Sequence, residues 1–492
     1  MESTKSSTSV RASLWIKKPL ALLMRESSGD GNELKRTLKA GNLVALGIGA
    51  IIGAGLFVRT AAAAADHAGP SVTISFIVAA LGCALAGLCY AEFASMIPIA
   101  GSAYTYSYAT MGEFMAWIIG WDLVLEYALG AATVSIAWSE YLNKLLEKFG
   151  LDIPYQFCHS PFQTSLDGVT GIINLPALFI LLALSLLLIK GIQESASVNS
   201  IIVVVKVAIV LLFIALGWSY INPINHTPYI PENITGKFGD FGWSGIISGA
   251  GVVFFAFIGF DAVSTAAQES VNPKRDMPIG ILVSLAICTV LYILFSHVLT
   301  GVANYKEFGT VGKEASVAYA IETYMSSYSW LSVLITVAIL AGFSSVILVM
   351  LLGQSRVFFT MSKDGLVPKV FSELHPKFRT PYKSNLLFFV FVGAFAAFVP
   401  GDVVGDMTSI GTLFAFVLVC IGILILRRTN PEAVRPFRTP LVPVVPILGA
   451  LICLAMIYGL GAENWIRLLV WMIIGLVIYF AYSRKHSKLR NS

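Results

Sequence analysis

The sequence predicts an all-α integral membrane protein with about 12 transmembrane helices, and three observations support this fold class. First, the chain is 57% hydrophobic and 12% charged, which is more apolar surface than a soluble protein of 492 residues can bury. Second, apolar stretches recur at the length of about 20 residues that crosses a bilayer. Third, lysine and arginine collect in alternate loops, as they do in multi-pass membrane proteins.

Twelve mainly apolar stretches are long enough to be spans, and each is expected to be helical because a helix satisfies its own backbone hydrogen bonds in lipid. The eighth is long and the ninth short, which favours a tilted and a steep helix, respectively. Spans 1 to 12 are predicted at residues 43–63, 72–96, 113–139, 172–190, 197–218, 244–266, 278–303, 330–360, 385–400, 404–426, 443–461 and 465–482.

The basic residues predict the orientation. An even number of spans puts both termini on one side, and that side collects 25 lysines and arginines against 6 on the other. The positive-inside rule therefore predicts cytoplasmic N- and C-termini, in a multi-pass protein of the plasma membrane. This asymmetry accounts for the net charge of +5, so the sequence predicts no nucleic-acid partner.

Two spans contain residues that interrupt a helix. Span 1 carries four glycines in nine residues, from Gly47 to Gly55, and span 6 contains Gly259 within the run 254–261. Glycine costs a helix about 1 kcal/mol relative to alanine, and irregular backbone in a membrane is tolerated only where it is buried or lines a cavity. Paired breaks in the two halves of a membrane protein indicate the binding site of a transporter.

The broken helices offer the groups that a zwitterionic amino acid needs. Amide N–H groups at the start of a half-helix attract a carboxylate, and carbonyls at the end of one attract an ammonium group. We therefore predict carboxylate binding by the amides of Ala54 and Gly55, with Gly53 permitting the break. The ammonium group would face the carbonyls of Ile51, Phe255, Ala256 and Ile258, with Gly259 as the flexible point. The alternative is that the glycines only allow close helix packing.

These segments resemble a known family. The run 49–58 (GAIIGAGLFV) is similar to the signature of the amino acid-polyamine-organocation (APC) transporters. The run 255–265 (FAFIGFDAVST), continued by 272–280 (NPKRDMPIG), resembles the cationic amino acid transporter family, and more closely its bacterial members. Relatives usually carry Thr or Ser where this chain has Ala54. The resemblance therefore implies an amino acid permease that has lost one hydroxyl at its carboxylate site.

The resemblance also implies an organisation for the chain. It predicts a LeuT-like 5+5 inverted repeat with discontinuous helices 1 and 6, followed by two further helices. The first repeat would cover residues 43–218, the second 244–426, and helices 11 and 12 residues 443–482. Residues 1–42 and 483–492 would be the cytoplasmic N-terminal segment and tail.

Lys206 lies near the middle of span 5 among apolar residues. An ionisable residue inside a membrane is expensive and indicates a functional role. In sodium-independent relatives, a lysine at the matching place occupies the region where sodium-coupled relatives hold a cation between spans 1 and 8, so the resemblance implies proton coupling through Lys206. The alternative is a permanently charged lysine that bridges helix carbonyls.

Specificity is the least constrained prediction. Asp122 and Glu126 share one face of span 3, and Glu126 is deep enough to reach Lys206 or a polar substrate side chain; an interhelical hydrogen bond is the alternative. Phe257 and Met350 are further candidates for the side-chain pocket, or packing residues. Because no cluster of acids stands out, we predict a neutral L-amino acid, with a cationic amino acid as the alternative.

Other classes fit less well. A channel requires a continuous polar path, and an enzyme requires a nucleophile, base or metal constellation; the sequence shows none of these motifs. We therefore predict a secondary active transporter with no cofactor or metal and the proton as coupling ion. Its partners would be the amino acid and membrane lipid, with no obligate protein partner. Exchange instead of symport, and a transceptor that also signals, stay open.

Overall fold

The computed structural model describes residues 14–19, 38–97, 102–165, 167–191, 196–267, 270–309 and 316–491. Within these ranges the protein is built from helices joined by turns, with isolated β-bridges and no strand. The predicted all-α membrane fold is confirmed. Among the described residues, eight helical segments are long and apolar enough to cross a membrane, and four shorter apolar helices accompany them.

Each predicted span coincides with helical structure, although the number of membrane crossings stays a prediction. Span 1 comprises Ala40–Ile51 and the helical run from Gly55 to Ala68, and span 6 comprises Gly242–Val253, Phe254–Phe257 and Ala262–Thr265. The other helices that correspond to spans, in chain order, are Val72–Met96, Glu113–Glu147, Leu175–Ile189, Ala196–Gly217, Pro273–Val302, Ser329–Lys363, Tyr382–Phe398, Gly401–Thr429, Val444–Gly459 and Ala462–Ile478.

The burial of the helices separates the centre of the bundle from its periphery. In the segment Gly242–Ser264, which contains span 6, 94% of the most apolar 18-residue stretch is buried. The corresponding share in Ala462–Asn491, which contains span 12, is 17%. Spans 1 and 7 pack closely together, and span 3 packs against spans 8 and 10. Span 6 is therefore surrounded by protein, whereas span 12 leaves its apolar side chains for lipid.

π-Helical turns occur in several of the described segments, among them Gly55–Arg59, Ala64–Ala68, Leu125–Leu129 and Tyr479–Ser483. The first directly follows the break in span 1, and the third lies in span 3 and includes Glu126. A π-helical turn is rare and often marks a functional site, because it leaves backbone groups without their usual partners. Two of these segments, Gly55–Arg59 and Leu125–Leu129, contain residues that the sequence predicted for the binding site.

Candidate functional site: the crossing of two interrupted helices

Span 1 is interrupted where the glycines predicted a break. The N-terminal half of span 1, which the predicted orientation puts on the inner side, ends at Ile51, and Ile52 adopts an extended conformation with φ −73° and ψ 104°. Helical geometry resumes at Ala54, so Gly53 lies between the two halves. The N–H groups in the first turn of a helix have no intrahelical acceptor. The amides of Ala54 and Gly55 therefore lie where a carboxylate can be bound.

Span 6 is interrupted at a matching depth. Its first helix tightens into a 3₁₀ turn over Phe254–Phe257, and Ile258 is extended with φ −60° and ψ 136°. Gly259 then takes φ +111°, a backbone angle that residues with a side chain rarely adopt. A short helix follows at Ala262–Thr265. The positive φ explains why glycine stands at this position.

The two breaks touch each other. A Cβ added to Gly55 would collide with the backbone of Ala256, and a Cβ added to Gly259 would lie 2.9 Å from the carbonyl oxygen of Ala50. Each glycine thus lets one broken helix approach the backbone of the other. The structure brings the predicted carboxylate-binding amides of span 1 next to the predicted ammonium-binding carbonyls of span 6, at a point where all the flanking side chains are buried.

A tyrosine that the sequence reasoning missed joins the two breaks. Tyr292 in span 7 is fully buried, and its hydroxyl lies 2.9 Å from the carbonyl oxygen of Ile51 and 3.0 Å from that of Ala256. Both carbonyls belong to the predicted ammonium site. A buried tyrosine hydroxyl in an apolar helix needs a hydrogen-bond partner, and this need is the signal that could have drawn attention to Tyr292.

Lys206 reaches the inner half of span 1. Its ammonium group donates a hydrogen bond of 2.8 Å to the carbonyl of Gly49, and the residue is 3% exposed. On the other side, a Cβ added to Gly342 of span 8 would lie 2.7 Å from Lys206 Cε. Lys206 therefore lies between spans 1 and 8. The carbonyls near a helix C-terminus carry partial negative charge, which stabilises a cation there.

A group of buried carboxyl groups lies on the inner side of the crossing. Glu126 neighbours both Asp122 and Asp261, and all three are fully buried. Asp261 accepts a hydrogen bond of 2.5 Å from Tyr127. Among the described residues, the carboxyl oxygens of Asp122 and Glu126 have no hydrogen-bond donor. An unpaired buried charge is costly, so these carboxyl groups require a proton, a cation or a cationic ligand.

The remaining predicted pocket residues differ in their surroundings. Met350 of span 8 lies beside Gly130 of span 3, with its Sδ 3.4 Å from the position of an added Cβ. Phe257 is fully buried and packs with Phe76 and Tyr292, at ring-centroid distances of 6.2 and 5.2 Å. Met350 is thus close to the span that carries Glu126, whereas the contacts of Phe257 are those of a packing residue.

The outer end of span 1 is held by charge. The guanidinium of Arg59 is 3% exposed and pairs with two residues of span 10, Asp402 at 3.1 Å and Asp406. A cavity of about 40 Å³ leads from Ala54 to this cluster. A cavity of that size holds a few water molecules, which is too little for an amino acid. Arg59 and Asp402 therefore narrow the outer approach to Ala54.

A second charged cluster lies at the inner end of the bundle. Asp364, which follows span 8, accepts hydrogen bonds of 2.7 Å from both Lys18 and Tyr104. The N-terminal segment, the helix Ser102–Thr110 and the end of span 8 are therefore tied together on this side. Sequence reasoning identified neither this cluster nor Arg59, since each pairing joins residues more than 250 positions apart.

Sequence comparison finds relatives of this chain among known transport proteins. The family model described as "Amino acid permease" matches residues 39–481. The chain is 45% identical to the branched-chain amino acid permease BcaP of Bacillus subtilis, covering 98% of this chain and all of the relative. It is also 43% identical to the methylthioribose transporter of Bacillus subtilis, over 97% of this chain and 99% of the relative. A vacuolar cationic amino acid transporter 4 of Arabidopsis thaliana is 29% identical over 94% of each chain.

Proposed function

The chain belongs to the amino acid permease family, and on that premise we propose that it imports neutral L-amino acids across the plasma membrane in symport with protons. As a permease it is a membrane transporter and not an enzyme. The observation that carries the proposal is the contact between the two helix breaks, Gly55 against Ala256 and Gly259 against Ala50. This contact puts helix-start amides and helix-end carbonyls within one buried site, and the α-amino and α-carboxyl groups of an amino acid need both.

The preference for neutral substrates rests on the relatives. The most extensive match described above is to a protein named for branched-chain amino acids, so leucine, isoleucine and valine are the first substrates to test. Backbone groups recognise the part that all amino acids share, and they leave the side chain to apolar contacts. A pocket that buries an aliphatic side chain gains about 1.5–3 kcal/mol from each fully buried leucine-sized group.

A cationic amino acid is the second candidate, and the buried carboxyl groups favour it. Asp122, Glu126 and Asp261 lie together, and no cationic side chain among the described residues donates a hydrogen bond to them. A lysine or arginine side chain that extended inward from the crossing could neutralise them. The same carboxyl groups are equally satisfied by protons, in which case the substrate is neutral.

The proposed proton coupling rests on the position of Lys206. As a cation, Lys206 stabilises the C-terminal end of the inner half of span 1 through the Gly49 carbonyl; such cation–dipole interactions contribute about 0.3–2 kcal/mol. Loss of its proton would weaken this interaction with the Gly49 carbonyl and leave the inner half of span 1 free to move. Proton exchange at one side chain would thus bias the movement of the helix that binds the substrate.

The test is uptake into proteoliposomes that contain the purified protein. Labelled leucine is supplied with or without an inward proton gradient, in sodium or in potassium, and excess valine, arginine or methylthioribose is added as competitor. The proposal predicts gradient-stimulated, sodium-independent accumulation that valine inhibits. Strong inhibition by arginine alone would establish the cationic alternative, and inhibition by methylthioribose alone would exclude an amino acid substrate.

A Lys206→Met variant tests the coupling. It is expected to lose stimulation by the proton gradient while it retains exchange of internal for external leucine, because the backbone site is intact. Lys190→Met is the matched control, since Lys190 is exposed at the end of span 4. Gradient-stimulated uptake that persisted in Lys206→Met would refute the coupling role. Transport that needed internal amino acid even in the unmodified protein would identify an exchanger.

A further inference from the structure

An apolar groove lies at the cytoplasmic end of the bundle, away from the transport site. Its volume is about 330 Å³, within the range of about 300–1,000 Å³ that ligand-binding clefts occupy. Three parts of the chain form it: the N-terminal segment, the turn before span 3 together with the first turn of that span, and one face of span 10. The lining residues are Trp15, Lys17, Thr110, Met111, Met115, Leu418, Ile421 and Ile425.

The N-terminal wall of the groove is fixed to the bundle by its backbone. The amide of Glu113 donates to the carbonyl of Ile16 at 2.9 Å, and the amide of Lys18 donates to the carbonyl of Tyr108 at 3.1 Å. The Trp15 ring packs edge-on against Phe114, with centroids 5.9 Å apart. Trp15 nevertheless stays 55% exposed. Tryptophan at this level is typical of the membrane interface, where its ring contacts lipid and headgroups.

The span 10 wall ends in a positive charge. Leu418, Ile421 and Ile425 line the groove, and Arg428 follows at the helical spacing that continues the same face. Arg428 is exposed, as is Lys17 on the opposite wall. Within the part of the chain that the structure describes, neither forms a salt bridge. Lys17 is itself part of the groove lining, and Arg428 lies about one helical turn beyond Ile425, so each of these two walls carries a cation.

We propose that this groove binds an anionic phospholipid of the inner leaflet, with an acyl chain between the N-terminal segment and span 10 and the phosphate headgroup between Lys17 and Arg428. The apolar lining matches the acyl chain. The two cations match a headgroup with net negative charge, and a zwitterionic headgroup gains less because its own cation is repelled. Each basic residue near an anionic surface contributes enough affinity that two of them correspond to a selectivity of up to about thirtyfold.

The proposal can be tested by photo-labelling in proteoliposomes. Phosphatidylglycerol and phosphatidylcholine with identical acyl chains, each carrying a diazirine on one chain, are incorporated at equal low fractions. Labelled peptides are then quantified by mass spectrometry. We expect phosphatidylglycerol to label the peptides that contain Met111, Met115 and Ile421 several-fold more than phosphatidylcholine does. Equal labelling by the two lipids would show a non-selective boundary lipid and would overturn the proposal.

Two variants locate the selectivity. In Lys17→Gln/Arg428→Gln, labelling by phosphatidylglycerol is expected to fall to the level of phosphatidylcholine, whereas Lys369→Gln/Lys377→Gln removes the same charge from exposed cytoplasmic positions and should leave it unchanged. Unchanged labelling in the first variant, or an equal fall in both, would refute the headgroup site.

A third variant tests the slot itself. Ile421→Trp fills the groove and should abolish the selective labelling, with Ile466→Trp as control, because Ile466 is 61% exposed on span 12. Persistent selective labelling in Ile421→Trp would place the acyl chain elsewhere. Thermal unfolding of each variant, compared with the unmodified protein, shows that the fold is retained before labels are compared.

Discussion

Replacing Tyr292 by phenylalanine removes one oxygen atom from the point where the two helix breaks meet. The hydroxyl has a single proton and lies 2.9 and 3.0 Å from two carbonyl oxygens, one in each break. The ring would keep its contacts with Phe76 and Phe257, whose centroids lie 5.6 and 5.2 Å away. The substitution therefore tests the hydroxyl and leaves the packing of the aromatic side chains in place.

The size of the effect follows from the number of bonds. One shared proton counts as about one hydrogen bond, worth about 0.5–1.5 kcal/mol net, and a buried carbonyl that loses its donor costs about 1–3 kcal/mol. Most of this loss falls on the geometry of the substrate site, because both carbonyls belong to it. If about 1.4 kcal/mol of the loss is expressed in binding, the apparent affinity for the amino acid falls about tenfold.

The assay is the concentration dependence of leucine uptake into proteoliposomes. Tyr292→Phe should raise the half-saturation concentration by about tenfold, by the conversion given above. Tyr141→Phe is the matched control, because its hydroxyl bonds a single carbonyl, that of Phe57, at 3.2 Å and outside the breaks. The reasoning would be refuted by tighter apparent binding in Tyr292→Phe. That result would mean that the hydroxyl competes with the substrate's ammonium group and does not position the carbonyls.

Three further predictions follow from the described contacts. Gly259→Ala should abolish leucine uptake, because φ +111° costs a residue with a side chain about 1–3 kcal/mol and the new Cβ would press on the Ala50 carbonyl of span 1. The control is Gly168→Ala, at φ +81° with no atom near the added Cβ, which should transport normally. Leucine uptake by both variants would contradict the argument. Arg59→Gln should open the outer approach to Ala54. The measurement is the rate at which a cysteine reporter, Val58→Cys, reacts with a membrane-impermeant thiol reagent, and this rate should rise when Arg59→Gln is added. An unchanged rate would exclude Arg59 as the contact that blocks the approach. Glu92→Gln should lower the melting temperature, because the buried Glu92 carboxylate forms salt bridges with Arg427 and Arg435, and breaking such a buried pair costs about 3–5 kcal/mol. An unchanged melting temperature would show that these salt bridges contribute little to stability.

The sequence was enough to predict where the helices lie and where two of them break. Apolar length identifies a span, and the glycines of span 1 and Gly259 of span 6 mark positions that a regular helix disfavours. The predicted carbonyl and amide groups are then fixed by the chain itself, since they belong to the residues at each break. These features are local, so a single sequence contains them.

The contacts between distant segments could not be predicted in the same way. Arg59 is separated from Asp402 by 343 positions, and Tyr127 from Asp261 by 134. Whether two such side chains meet depends on the angles at which spans pack, and apolar periodicity does not encode those angles. The π-helical turn at Leu125–Leu129 could not be predicted either, because no pattern of residues distinguishes it from the α-helix around it.

The break in span 1 lets its two halves be held by different partners. The outer half is tied to span 10 through Arg59, and the inner half is tied to span 5 through the hydrogen bond from Lys206 to Gly49. A straight helix would transmit any movement from one end to the other, whereas the extended residue Ile52 allows one half to move while the other stays packed. In the proposed cycle the proton at Lys206 therefore acts on the inner half alone. Release of Lys206 would open the cytoplasmic side while Arg59 keeps the outer side closed, which is the condition that alternating access requires.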